Sequence, residues 1–281
     1  MQKVAVLTDS TADIPQDLRE EQNINVIPLS VVHEDKSYLD GIDIKSEEFY
    51  KLLEATETLP KSSQPSPGDF IKIYERLLES YTEVISIHIS SGLSGTLSSA
   101  LQAKEMLKAK IHVIDSKSIS VGTGLQVLEA VKGVAGGLEI EQVLAKVAKI
   151  KDNMEVLFTL NTLEYLHKGG RIGKVSSIMS SLLNIKPVIK VEDGAYVPFA
   201  KVRSRKNALD KIVASFEEFA QGRKVRNFAV AHGADLDAGL KITEALENLF
   251  NMKAAIFTQV GPVIGVHTGP GTVGAAICFE D

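Results

Sequence analysis

One stretch, residues 84–107, constrains the fold more than any other, because it predicts a buried strand that leads directly into a helix. Its first six residues are mostly β-branched, and apolar residues recur at helical spacing from Ala100 to Leu107. The loop between them, SSGLSGT, has two glycines and four hydroxyl side chains. Such a loop brings backbone N–H groups, hydroxyl donors and the positive end of a helix together. We therefore expect residues 90–96 to bind an anion.

The loop does not match the signatures of three common sites. A Walker-type phosphate loop needs a lysine directly after its second glycine, and here the next lysine is Lys104. The dinucleotide fingerprint needs glycine where Ser90 stands, and the hydrolase elbow needs its last glycine at Thr96. Nucleotide binding and serine hydrolysis thus lose their strongest evidence, and a plain strand-to-helix turn stays open as the alternative.

Length and composition favour a two-domain globular protein. The chain has 281 residues, more than one typical core needs. It is 44% hydrophobic and 24% charged, which is typical of a globular protein in water. No apolar run approaches the roughly 20 residues of a membrane helix, and the N-terminus leads into a strand without a secretory signal. We expect a cytoplasmic protein.

Particular residues disfavour several classes of site. Cys278 is the single cysteine, which rules out an intrachain disulfide, and its apolar neighbours predict a small buried strand residue. A net charge of −5 and an aromatic content of 6% argue against nucleic-acid binding. His88 and His112 lie in apolar strands, and no His, Cys and carboxylate set has metal-ligand spacing, so we expect no metal site.

The first half of the chain alternates strands and helices. Strands are predicted at residues 4–8, 25–32, 84–89 and 111–115, and residues 34–43 predict a polar turn. The proline-rich residues 56–68 show no periodicity and predict a stiff, irregular loop that could form a pocket wall. In a parallel sheet, Asp9, Ser90 and Asp115 would end strands at one edge.

The pattern changes near residue 154. An Asp-Gly turn between strands at residues 186–191 and 195–201 predicts an antiparallel hairpin, and an apolar helix is predicted to end near Leu183. Two helix and strand pairs and a closing strand at residues 272–279 follow. We therefore predict an α/β protein with an N-terminal parallel-sheet α/β domain, residues 1–155, and a C-terminal α+β domain with a mixed or antiparallel sheet, residues 156–281.

Six motifs, in order along the chain, resemble those of the DegV family, and the similarity extends over residues 3–280. They are VAVLTDSTADIP from Val4, SSQPS from Ser62, SSGLSGT from Ser90, VIDSKSISVGTG from Val113, KGGRI from Lys168 and HTGPGTVG from His267. That family includes the fatty-acid-binding subunits of bacterial fatty acid kinase. The resemblance implies a two-domain α/β protein that holds a long-chain fatty acid, such as hexadecanoate, between its domains.

The resemblance also implies how the carboxylate is held. A hydroxyl of the proline-rich loop and a serine of the glycine-serine loop match Ser62 and Ser94, and the family more often has threonine at the former position. The resemblance places His267 in the same network, although a turn histidine satisfied by backbone is the alternative. Ser63 and the N–H groups of Gly95 and its neighbour could supply further donors to a buried carboxylate.

Two basic positions are candidate contacts for phosphate or a partner. Arg171 follows two glycines between Lys168 and Lys174, and a solvated basic face is the equal alternative. Arg203 belongs to a second basic cluster with Arg205 and Lys206, which the resemblance relates to a kinase-docking surface; a plain charge cluster is the alternative.

Three functions follow as hypotheses. By resemblance, the chain is a non-catalytic carrier without a cofactor that presents the fatty acid to a separate ATP-dependent kinase subunit. That subunit would form an acyl phosphate for phospholipid synthesis, with at most a transient contact of the carrier with a membrane surface. The alternatives are a serine hydrolase or acyltransferase that uses Ser94 with His267 as its base, and a lipid-sensing scaffold.

Overall fold

The computed structural model describes residues 4–181 and 185–280, and this part of the chain forms three β-sheets covered by helices. The strands are β1 (Val4–Asp9), β2 (Ile24–Ile27), β3 (Ser30–His33), β4 (Lys36–Leu39), β5 (Lys61–Ser63), β6 (Glu83–His88), β7 (Ile111–Asp115), β8 (Met154–Thr159), β9 (Lys186–Glu192), β10 (Ala195–Val202), β11 (Val225–Gly233), β12 (Ile256–Gln259) and β13 (Thr272–Phe279). The α-helices are α1 (Gln16–Glu21), α2 (Ser46–Ala55), α3 (Pro67–Leu78), α4 (Thr96–Leu107), α5 (Val121–Ala135), α6 (Ile140–Asp152), α7 (Glu164–Lys168), α8 (Arg205–Phe219), α9 (Leu236–Phe250) and α10 (Pro262–Thr268). Short 3-10 helices span Ser10–Ala12 and Gly173–Ser181.

The first sheet is parallel and has the strand order β2-β1-β6-β7. Every residue of β6 is buried, because helices cover both faces of a parallel sheet. The second sheet has the order β10-β9-β8-β13-β11-β12, in which only β11 and β12 pair in parallel. These sheets confirm the predicted fold class, and the β9–β10 hairpin confirms the prediction from the Asp-Gly turn.

A third, antiparallel sheet of order β4-β3-β5 was not predicted. The single strand predicted at residues 25–32 is wrong, because Pro28 cannot donate to a ladder and separates β2 from β3. The predicted turn at residues 34–43 contains β4. The chain turns from β3 into β4 at Glu34, whose φ is 53°. The loop predicted at residues 56–68 contains β5, where Ser62 pairs with Val31.

Helix α5 joins the two larger sheets. It is buried along most of its length and packs against β1 and β6 on one side and β11 and β13 on the other. The largest apolar core therefore includes side chains from both halves, such as Ile85 and Ala276. The division at residue 155 stays a prediction, although the parallel sheet lies within residues 4–115 and the mixed sheet within residues 154–279.

Two further local predictions differ from the structure. His267 was expected in a glycine-rich turn, but it lies in α10, which begins at Pro262 and packs Gly265 against Phe49. The apolar helix predicted to end near Leu183 is the 3-10 helix at Gly173–Ser181 in the described residues, and Leu183 itself lies outside them. No helix in residues 4–181 or 185–280 is long and apolar enough to span a membrane.

Candidate functional site

The carboxyl ends of β1, β6 and β7 meet at one edge, as the sequence predicts. The Asp9 carboxylate accepts a hydrogen bond from the backbone N–H of Ile89 at 3.1 Å and lies 2.9 Å from His88 Nδ1. Asp115 accepts from the Ser91 hydroxyl at 2.5 Å. Asp9 thus holds the end of β6 at Ile89, and Asp115 holds the start of the loop at Ser91. These two contacts fix residues 90–96 at the sheet edge.

The loop at residues 90–96 also contacts the C-terminal sheet. Ser90 Oγ donates to the carbonyl oxygen of Gly194 at 2.7 Å, and Gly194 lies in the β9–β10 turn at a φ of 77°. A Cβ atom at Gly92 would lie only 2.7 Å from the same carbonyl oxygen. Glycine at position 92 therefore permits the close approach of the loop to this turn.

A cavity of about 320 Å³ opens beside this loop. It contains Ser62, Ser63, Ser94, His267 and Arg171, so the structure brings these predicted site residues together. Its apolar walls include Leu29, Ile89, Leu93, Ile119, Val263 and Ile264. The volume lies within the range of about 300–1,000 Å³ that is usual for ligand pockets.

Two predicted residues do not line this cavity. Gly95 faces the Gln64 side chain, whose amide group would overlap a Cβ atom at position 95. Glycine at position 95 therefore leaves room for the Gln64 side chain. Gln64 itself lines the cavity, and its Nε2 donates to Ser99 Oγ at 3.2 Å. Arg203 is exposed before α8 and lies outside the cavity wall.

Ser62 and His267, which are 205 residues apart in the chain, form the polar centre of the site. Ser62 Oγ lies 2.7 Å from His267 Nε2. Burial and the nearby Arg171 guanidinium lower the pKa of His267 to about 4, so the imidazole is neutral near pH 7. Its Nδ1 is buried without a partner in the described part of the chain.

The unpaired Nδ1 indicates which nitrogen of His267 carries the proton. Buried N–H groups without an acceptor are rarer than buried acceptors without a donor. A proton on Nε2 therefore fits best, with Nε2–H donating to Ser62 Oγ. The Ser62 hydroxyl hydrogen is then free to be donated into the cavity.

Arg171 brings positive charge to the mouth of the cavity. Its Nη1 donates to the carbonyl oxygen of Gly169 at 2.8 Å, and its Nε donates to that of Leu93 at 3.4 Å. Neither partner is a carboxylate, so the guanidinium charge is not neutralised by these bonds.

Ser94 is not paired with His267. Its Oγ lies 2.9 Å from Thr96 Oγ1 and accepts from the Thr96 N–H at 3.3 Å, at the start of α4. His267 bonds to Ser62 instead. The nucleophile–base hydrogen bond of a Ser94 hydrolase is therefore not formed.

A narrow apolar cavity adjoins the main one, and we call it the apolar arm. It adds about 40 Å³ and shares Ile119, Tyr196 and Ile264 with the main cavity. Tyr196 packs edge to face on Phe158 at 5.1 Å between ring centroids. These shared residues are not among those predicted from the sequence. For Tyr196 the available signal was the alternation along β10, which does not fix which face of the strand is buried.

The described residues contain no group of three or more His, Cys, Asp or Glu side chains that could hold a metal ion. Cys278 is buried in β13, as predicted, and burial raises the pKa of its thiol to about 12.

Fold and site together define a two-domain α/β protein with a cavity between a parallel and a mixed sheet. The family model described as an uncharacterised protein of the DegV family matches residues 3–280, so the chain belongs to the DegV family. The chain is 36% identical over 277 residues to the DegV domain-containing protein SACOL1460 of Staphylococcus aureus, covering 99% of each chain.

Two solved structures share the fold over the whole chain. A DegV family protein from Thermus thermophilus, described with the words "fatty acid binding", is 34% identical with a TM-score of 0.93, covering 99% of this chain and 100% of that one. DegV from Bacillus subtilis, described as a fatty acid binding protein, is 34% identical with a TM-score of 0.91, covering 100% of both.

Proposed function

We propose that this chain binds a long-chain fatty acid such as hexadecanoate, with its carboxylate at Ser62 and Ser94 and its tail directed into the apolar arm. One observation carries the proposal: a cavity lined by hydroxyl and imidazole groups adjoins a narrow apolar arm, with which it shares Ile119, Tyr196 and Ile264. The fatty-acid-binding descriptions of the Thermus and Bacillus proteins support the ligand class.

The headgroup site suits a carboxylate because its donors are already oriented. An unpaired buried carboxylate costs several kcal/mol, so hydroxyl and N–H donors must surround it. His267 turns the Ser62 hydroxyl into a donor, and the Ser94 hydroxyl supplies a second from the other side of the cavity. Arg171 adds a positive charge at the mouth without needing to contact the tail.

The tail supplies most of the affinity. Burying about 15 methylene groups at about 0.8 kcal/mol each gives about 12 kcal/mol before the cost of ordering the chain. In our proposal the arm widens as the tail enters, since its walls come from separate elements, such as Val121 of α5 and Phe158 of β8.

We further propose that the chain itself is not an enzyme. It would hold the lipid in the cytoplasm and present the carboxylate to a separate ATP-dependent kinase subunit, which forms an acyl phosphate for phospholipid synthesis. The opening of the cavity beside Arg171 and the exposure of Arg203 support contact with such a partner, and collecting lipid would need only a transient contact with a membrane surface.

The proposal is tested by mass spectrometry of small molecules released from purified, undelipidated protein. The wild type should release stoichiometric long-chain fatty acid, and a Ser62→Ala/Ser94→Ala variant should release much less. Ser98→Ala, at an exposed serine of α4 whose hydroxyl bonds to Gln102, is the matched control and should retain the lipid.

The same variants separate the alternatives. No lipid in the wild type would contradict tight fatty-acid binding and would favour a serine-reactive probe as the next experiment. Turnover of an ester that Ser94→Ala abolishes would favour the hydrolase, although the Ser94 hydroxyl bonds to Thr96 and His267 bonds to Ser62. Bound lipid with no stimulation of a fatty acid kinase would favour the lipid-sensing scaffold.

A further inference from the structure

Four hydroxyl side chains line the apolar arm, and three of them already donate to groups of the protein. Ser120 Oγ donates to a buried carboxyl group at 2.5 Å. Thr268 and Thr272 donate to backbone carbonyl oxygens at 3.2 and 2.8 Å. The fourth is Tyr196, whose hydroxyl has no hydrogen-bond partner within residues 4–181 and 185–280.

Tyr196 is held at the junction of the main cavity and the arm. The residue is only 4% exposed, and it lines both spaces. The edge-to-face contact with Phe158 fixes the position of its ring. Burial raises the pKa of the Tyr196 hydroxyl well above its usual range, so this group keeps its proton and is a donor near pH 7.

A buried hydroxyl without an acceptor is unusual, because most buried polar side-chain atoms in folded proteins are hydrogen-bonded. Phenylalanine at position 196 would make the same ring contact with Phe158 and would leave no donor unpaired. A saturated tail that passes Tyr196 offers the hydroxyl no acceptor either. An oxygen atom on a carbon of the tail would supply it.

We propose that this chain accepts a long-chain fatty acid with a hydroxyl group on one carbon of its tail, and that the Tyr196 hydroxyl donates to that oxygen. The inference rests on the proposed function, because the carboxylate at Ser62 and Ser94 sets how far along the tail Tyr196 lies. A ligand hydroxyl at any other carbon would be buried among apolar side chains such as Val121 without a partner. The chain would therefore discriminate among hydroxy fatty acids by the position of the hydroxyl group.

The experiment measures displacement of a fluorescent fatty acid from the delipidated full chain. The competing ligands are hexadecanoate and a series of hydroxyhexadecanoates with one hydroxyl group at each even-numbered carbon of the tail. The wild type should bind one isomer, or two neighbouring ones, within about threefold of hexadecanoate, and the others at least about tenfold more weakly.

Tyr196→Phe keeps the contact with Phe158 and removes the donor. It should bind the favoured isomer about tenfold more weakly, whereas its affinity for hexadecanoate should stay within about twofold. Tyr50→Phe is the matched control, because the Tyr50 hydroxyl is also buried without a partner in the described residues but lines neither cavity. This control should leave the affinities for hexadecanoate and for the favoured isomer unchanged.

Equal weakening of every isomer in the wild type, or an unchanged affinity of Tyr196→Phe for the favoured isomer, would overturn the inference. An equal loss for hexadecanoate and the favoured isomer in Tyr196→Phe would also overturn it, in favour of Tyr196 as a donor to the carboxylate. Failure of the wild type to bind hexadecanoate would instead contradict the proposed function, and binding of one isomer alone that depends on Tyr196 would still support the donor role.

Discussion

The buried carboxyl group of Asp13 should make the stability of this protein fall as pH rises. Its Oδ1 accepts from the Gly261 N–H at 2.9 Å, at the start of the helix that carries His267, and its Oδ2 lies 2.5 Å from Ser120 Oγ. Burial, and to a lesser extent the neighbouring Asp40 and Asp9 carboxyls, raise the pKa of Asp13 from 3.8 to about 8.

The sign follows from where the proton is bound. Between about pH 4 and pH 8 the folded chain keeps a proton on Asp13 that the unfolded chain releases, so the free energy of unfolding decreases with pH. From pH 4 to pH 7 the free energy of unfolding falls by about 1.4 kcal/mol per pH unit, or about 4 kcal/mol in all. Asn resembles the protonated carboxyl group and tolerates the left-handed backbone at position 13, where φ is 49°.

We therefore expect Asp13→Asn to match the wild type near pH 4 and to be more stable by about 4 kcal/mol at pH 7. Urea unfolding followed by circular dichroism at several pH values measures the difference. Burial raises the pKa of Asp40 to about 6, but Asp40 titrates in both proteins. Its contribution therefore largely cancels in the difference between their free energies of unfolding. Asp35→Asn, in an exposed turn, controls for the change in net charge. The reasoning would be refuted if the difference in free energy of unfolding between Asp13→Asn and the wild type stayed constant from pH 4 to pH 7, or if the variant were less stable at pH 7.

Three further changes test other parts of the structure. Ala231→Leu fills the apolar arm, so lipids released from the variant should be shorter by about three carbons, measured by mass spectrometry. Arg226→Ala leaves the buried Glu129 carboxylate without its bidentate partner at 2.7 and 2.8 Å and should lower the free energy of unfolding by about 3 kcal/mol. His267→Phe removes the donor to Ser62 and should weaken fatty-acid binding about tenfold, whereas His267→Gln restores an N–H near the Nε2 position and should keep most of the affinity.

Each change has its own control. Lys224→Ala breaks an exposed pair with Glu280 and should cost less than about 1 kcal/mol, so an equal loss in Arg226→Ala would contradict the buried-charge argument. An unchanged lipid distribution in Ala231→Leu would show that the tail does not reach the arm. Equal binding by the Phe and Gln variants at position 267 would contradict the donor role assigned to Nε2–H.

Several features could be predicted from the sequence because they depend on local patterns. The buried strand β6, the glycine-serine loop and helix α4 follow from β-branched residues, turn residues and helical spacing within one stretch. The change from a parallel to a mixed sheet followed from alternating elements in the first half and an Asp-Gly hairpin in the second. The grouping of Ser62, Ser94 and His267 was predicted through the family resemblance, since no local pattern connects them.

The remaining features depend on packing between distant segments. Pro28 interrupts a strand whose second half then pairs with Ser62, and this pairing carries the hydroxyl to His267. The apolar arm depends on which face of β10 points inward, and the buried Asp13 depends on the contact of the first strand-to-helix turn with α10. The sequence alone thus determined the elements and the chemical character of the loops, because these are set by neighbouring residues. Only the tertiary structure decided the site, because its groups come from chain segments up to 205 residues apart whose contacts depend on strand pairing and helix packing.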